Sequence, residues 1–275
     1  MIEFHTPLPA DKAWVDARLA KGNYRGCEYS FTNLFAWAPA YDQQIADVDG
    51  FLTARVRGAL GYGYLWPAGS GDLDGVLAQL ERDAQDRGEP FRLVCLTPRQ
   101  VEELEALRPG QFAVTADRDG FDYLYEIDKL ADLGGRKLHS KRNHCKRFQE
   151  NNPTWTYEDM THEKKALLMA AQNFEALGLE GGVLRVYGEV VAFCMGDVLS
   201  SDTFDVHFEK AYGELQGAFA MINQCFARRV RERHPEVKYL NREDDMGIEG
   251  LRKAKESYYP DRMVEKHSAV RKEGA

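Results

Sequence analysis

A chain of 275 residues, 44% hydrophobic and 29% charged, has ordinary globular composition and length for one large domain or two small ones. Its apolar runs, such as 91–96 and 190–196, are too short to cross a bilayer, and the opening MIEFHTPLPADK carries no secretory signal. A net charge of −8 argues against indiscriminate nucleic-acid coating, and five widely spaced cysteines without a CxxC argue against a disulfide framework or a metal site, so a reduced, cytoplasmic protein is expected.

In chain order, period-2 runs predict strands at 51–57, 61–67, 91–96, 111–118 and 121–127. Between them, 72–88 has leucines and valine at helical spacing with a closing glycine, and 98–107 opens on proline at a helix N1 position. The segment 128–137, DKLADLGGRK, is the expected joint, dividing an N-terminal domain (1–130) from a C-terminal one (131–275) that carries the site. A basic helix (137–150), a strand (154–160) and a helix (162–178) follow. A meander at 184–188, 190–199 and 203–211 leads to a long helix over 216–233, a strand at 236–240, a helix opening near 249 and a last strand at 263–270. Helices mixed with a mostly antiparallel meander and one late strand–helix–strand unit give a mixed α/β fold of the α+β type, with sheets flanked by helices.

Three stretches could carry chemistry. In TFDVHFEKAYGELQGAF, Asp205, His207 and Glu209 alternate with Val206 and Phe208, which puts the polar groups on one strand face. That face either meets water or lines a site. The loop through Lys210 and Gln216 to Gly217 at the head of the long helix is a natural anion site, because the first N–H groups there lack partners. From Arg136 to Arg147 the chain holds six Lys or Arg and no acid, so Lys141, Arg142 and Lys146 either coat a solvated helix or bind nucleic-acid phosphate. Finally, YLNREDDMGIEGLRKAKESYYP orders acids before bases. Asp244 or Asp245 capping the next helix explains half of that order. Asn241, Arg242 and Glu243 stand just beyond a strand end, where α/β proteins usually bind ligands.

With KLHSKRNHCKRF upstream, these two segments resemble, across essentially the whole chain, a bacterial family grouped with the C-terminal domain of phosphatidylglycerol lysyltransferases. The resemblance implies two GNAT-like (N-acetyltransferase-like) domains in tandem, as in the Fem-type aminoacyltransferases. It also implies transfer of an aminoacyl group from aminoacyl-tRNA. Lysyltransferases of this group carry a lysine shortly before an aromatic and a proline; Lys255 in AKESYYP takes that place and would hold the aminoacyl ester or the tRNA end. His207, Glu209 and Lys210 match their acidic-then-basic strand-end motif loosely. Without a membrane segment a lipid acceptor has no support, and KAYGELQGA does not preserve the coenzyme A loop Q/R-x-x-G-x-G/A.

The expected function is aminoacyl transfer from aminoacyl-tRNA or a similar activated donor to a small-molecule or peptide acceptor. Glu209 or His207 would act as base, with Arg242 and Lys255 at the oxyanion or donor phosphate. A coenzyme A-dependent N-acetyltransferase and a non-catalytic anion- or protein-binding module are the alternatives.

Overall fold

Asp49-Gly50 shows how closely local sequence dictates the local structure. Val48 pairs with Phe51 across it, and both turn residues have positive φ, 49° and 87°, which is the two-residue hairpin turn that matches strand twist. The computed structural model describes residues 1–159, 173–213, 215–272 and 274. Its strands in chain order are β1 (Gln44–Val48), β2 (Phe51–Gly58), β3 (Gly61–Leu65), β4 (Ala68–Gly69), β5 (Arg92–Leu96), β6 (Phe112–Ala116) and β7 (Asp122–Glu126). They continue with β8 (Thr156–Asp159), β9 (Glu180–Val186), β10 (Glu189–Ser200), β11 (Thr203–Ala211), β12 (Tyr239–Asn241), β13 (Arg262–Val264) and β14 (His267–Arg271).

The chain forms two compact units: Met1–Asp122 with Asp244–Gly247 and Val264–Ala275, and Tyr123–Glu243 with Ile248–Met263. The first is built on the sheet β1-β2-β3-β5-β14-β6, with β4 beside β2. Helix Leu73–Asp86, capped by Asp72 through Gly75 N–H, buries Val76, Leu77, Leu80 and Ala84. Helix Pro98–Leu107 begins at a Thr97/Gln100 capping box. Helix Lys12–Gly22 and β1 add to the predicted elements.

The second unit is built on β13-β7-β12-β11-β10-β9-β8, in which β11 and β12 run parallel and the pairs β7-β12, β11-β10, β10-β9 and β9-β8 antiparallel. Parallel neighbours need a crossover, and helix Ala218–Arg233 supplies it. Its inner face joins Phe148, Leu184, Phe204, Leu240 and Leu130 in one core. The expected mixed α/β architecture, two mostly antiparallel sheets flanked by helices, is what the chain adopts.

Three boundaries differ from expectation. Residues 128–133 are not a joint: helix Ile127–Asp132 buries Ile127, Leu130 and Ala131, and Ala131 O accepts hydrogen bonds from Gln224 and Arg228. The predicted last strand is two, one in each sheet. Because β14 bonds to both β5 and β6, residues 264–275 belong to the first unit; because β7 pairs with β12, residues 123–130 belong to the second. The helix predicted at 162–178 falls, over 162–172, outside the described residues. No helix among the described residues is long and apolar enough to cross a membrane.

Candidate functional site

The site grows from a break in sheet pairing. β11 and β12 are in register from Thr203↔Tyr239 to Asp205↔Asn241, and there the pairing ends. Beyond that point side chains bridge the two segments instead of backbone. His207 Nδ1–H donates to Glu243 Oε1 at 3.1 Å, and Arg242 Nη2–H donates to both Glu209 oxygens at 3.1 Å. Asp205, His207 and Glu209 do share one strand face, as period-2 alternation requires.

His207 is enclosed by acids. Its Nε2–H donates to Asp197 Oδ1 at 3.1 Å, and Asp205 Oδ2 lies 3.6 Å from Nδ1. Asp197 is held opposite Asp205 by the β10–β11 register. Both ring nitrogens face carboxylate oxygens, so both carry protons and the ring is an imidazolium. Burial alone would push its pKa down; Asp197 and Asp205, with the bonds to Asp197 and Glu243, instead hold it well above the ordinary histidine value. The side chains of Asp205, His207 and Glu243 lie close enough together to ligate a metal ion, which would require the His207 ring to be neutral.

Glu209 and Arg242 form a nearly buried pair, 8% and 12% exposed. Asn223, inside the apolar face of helix Ala218–Arg233, donates Nδ2–H to Glu209 Oε2 at 3.2 Å. Arg242 also lies against aromatic rings, its Cζ 4.9 Å from the Tyr258 centroid and 5.7 Å from that of Tyr125. Burial opposes its charge, yet Glu209 and the two phenols keep its pKa above the usual arginine value. Within this Glu209–Asn223–Arg242 cluster, Arg242 Nη1 and Asn223 Oδ1 are buried without a hydrogen-bond partner among the described residues.

Lys255 points to backbone. Its Nζ donates to Arg242 O and, at 3.1 Å, to Glu243 O, and Lys255 O accepts from the Tyr125 hydroxyl at 2.7 Å. Asn241 is fully buried, and its Oδ1 accepts Glu243 N–H at 2.7 Å, closing a turn in which Glu243 takes φ +56°. Asp244 and Asp245 make similar turns, accepting from Met246 and Gly247 N–H, and neither is the N-cap of helix Glu249–Glu256, which begins after Ile248 without a side-chain cap.

The basic helix, His139–Asn151, separates its three singled-out cations. Arg142 Nη1 donates to Leu133 O and Gly135 O. Lys146 is exposed, 3.6 Å from Glu150. Only Lys141 turns to the site, with Nζ 4.0 Å from the Tyr258 centroid. Burial, and then the Arg242 charge, lower its pKa against an opposing pull from Glu209. Lys210 and Gln216 are exposed. Gly217, at φ +88°, faces the His144 carbonyl so closely that a Cβ there would lie 2.3 Å from its oxygen. A carbonyl thus approaches the helix head where an anion was expected.

Sequence reading missed Asp197, Asn223, Tyr125 and the packing of Tyr258 against Lys141 and Arg242. An acid inside the apolar run 190–199, and an amide inside an apolar helix stripe, were the available signals.

Two mixed sheets flanked by helices, with an ion-paired centre where the parallel strands β11 and β12 part, frame the candidate site. The chain belongs to the family described as phosphatidylglycerol lysyltransferase, C-terminal, which matches residues 20–162 and 154–270. A crystal structure of a conserved protein of unknown function from Bacteroides thetaiotaomicron is 39% identical, covers 99% of this chain and 100% of that one, and superposes with a TM-score of 0.91. L-PGS from Bacillus licheniformis is 15% identical over 100% of this chain and 95% of that one, with a TM-score of 0.73. FemX is 8% identical over 98% and 97%, with a TM-score of 0.60. The last two likenesses bear on fold. No curated protein matches. The family points to an acyltransferase of the lysyltransferase type.

Proposed function

We propose that this protein transfers an aminoacyl group from aminoacyl-tRNA to a small-molecule or peptide acceptor in the cytoplasm. The observation that carries the reading is the Glu209–Arg242 pair at the parting of β11 and β12, with Lys141 and Tyr258 beside it. A buried guanidinium with an unbonded N–H suits a negatively charged oxygen of the bound donor, since a hydrogen-bond donor already held in a low-dielectric site needs no reorganisation on binding. Glu209 fixes that guanidinium. His207, with both nitrogens donating, orders the Glu243 turn and cannot serve as base while protonated. Lys255 holds the same turn through its carbonyls and acts on the donor only through Arg242. Coenzyme A has less support, because the His144 carbonyl meets Gly217 at the helix head.

Incubation with charged tRNAs and a cell extract, followed by mass spectrometry, is expected to yield a product bearing one aminoacyl group, absent with Arg242→Met. Acetylation from acetyl-CoA with no product from any charged tRNA would overturn the reading.

A further inference from the structure

Tracing each charged group of this centre to its partners leaves few atoms available to a ligand. His207 gives both nitrogens to carboxylates, Lys255 gives its ammonium to carbonyls, and Glu209 receives Arg242 and Asn223. Arg142, from the next position of the basic helix, gives Nη1 to carbonyls. Two cationic donors remain. Lys141 makes no hydrogen bond or ion pair with a described residue, and its Nζ lies 4.0 Å from the Tyr258 ring centroid. Arg242 spends Nη2 on Glu209, while its buried Nη1 has no acceptor.

Both charges sit at one ring, 4.0 and 4.9 Å from its centroid, and so stand no more than about 9 Å apart. Among the described residues Glu209 is the only carboxylate that engages either of them, so the pair carries surplus positive charge in a half-buried place. A half-buried ammonium is normally paired, because desolvation without compensation is unfavourable. Two N–H donors, surplus charge and a buried nitrogen without an acceptor all call for oxygen atoms bearing negative charge.

We propose that Lys141 Nζ and Arg242 Nη1 form a two-point site for an oxyanion, a phosphate or carboxylate carried by the ligand. This deepens the transfer reading and rests on it only for its place in the chemistry; the binding itself needs no turnover. The geometry separates Lys141 from its helix neighbours. Lys146 lies outside, so the basic helix contributes one specific contact here rather than a polyanion track. The depressed Lys141 pKa agrees with this: burial and the Arg242 charge disfavour an ammonium that a bound anion would restore.

The test follows the Lys141 side-chain NMR signal, assigned by its loss in Lys141→Met, through a pH titration of the intact protein. Separate titrations are run without ligand and with inorganic phosphate, AMP and sodium acetate. An oxyanion in the site favours the charged amine, so the titration midpoint should move up by about one pH unit, a tenfold change in proton affinity. Movement with phosphate and AMP but not acetate assigns a phosphate ligand; movement with acetate assigns a carboxylate. Lys141→Met and Lys141→Gln should each weaken the binding about 10- to 100-fold. Lys146→Met should leave it unchanged. A Lys141 midpoint that stays put with all three anions overturns the proposal. A midpoint that moves in a protein without transfer activity keeps the oxyanion site and removes the transfer reading.

Discussion

Lys255 separates a residue that touches the ligand from one that builds the site. Resemblance assigns it to the aminoacyl ester, whereas its ammonium donates to the carbonyls of Arg242 and Glu243, and it is 8% exposed. Those carbonyls flank a turn in which Glu243 takes φ +56°, a conformation costing a non-glycine residue about 1–2 kcal/mol. Lys255→Met keeps most of the stem volume and deletes the charge. Hydrogen bonds from charged groups contribute about 1.5–3 kcal/mol each. Glu243 O still accepts Tyr123 N–H at 3.2 Å, which softens one of the two losses. The expected loss is therefore about 2–4 kcal/mol, read by urea denaturation with far-UV circular dichroism. The midpoint should fall without a change in slope. Stability within about 0.5 kcal/mol of the parent, a change ordinary for surface positions, together with abolished ligand binding or transfer would show that the ammonium faces the ligand and that the reasoning is wrong.

Gly217→Ala places a Cβ 2.3 Å from the His144 carbonyl oxygen at φ +88°, so a loss of about 2–4 kcal/mol is expected from strain plus displaced helices; thermal unfolding measures it. Glu209→Leu leaves the Arg242 guanidinium buried without its carboxylate and should cost about 3–5 kcal/mol, while Glu209→Leu with Arg242→Met should recover much of that in a double-mutant cycle. For His207, the folded pKa lies above the unfolded value near 6.5, so its stabilisation is fully present below about pH 6.5 and is lost as pH rises through the folded pKa. The stability difference between the parent and His207→Gln should shrink over that rise; a difference independent of pH would contradict the imidazolium assignment.

Local rules made much of the fold legible. Helical spacing in 72–88, Pro98 at N1 and alternation along 203–211 each depend on side chains within a few residues, and each element formed where it was expected. The same alternation put Asp205, His207 and Glu209 on one face, and Arg242 and Glu243 do stand beyond the end of β12. What single-sequence periodicity did not carry was pairing between distant segments. β14 enters between β5 and β6, which moves the last residues into the first unit. No pattern within 263–270 specifies strands more than 150 positions away. Asp197 reads locally as an acid in an apolar run until the β10–β11 register sets it against Asp205.

Sequence by itself determined which residues could be charged, which faces of strands and helices they share, and where turns must fall, because those follow from covalent geometry and short-range sterics. Only tertiary structure decided how each charge is used. Lys141, Arg142 and Lys146 are all cations of one helix. One faces Tyr258, one donates to the Leu133 and Gly135 carbonyls, and one stays in water beside Glu150. A charge acquires its role from the partners and the dielectric around it, and both are assembled from parts of the chain far from its own position.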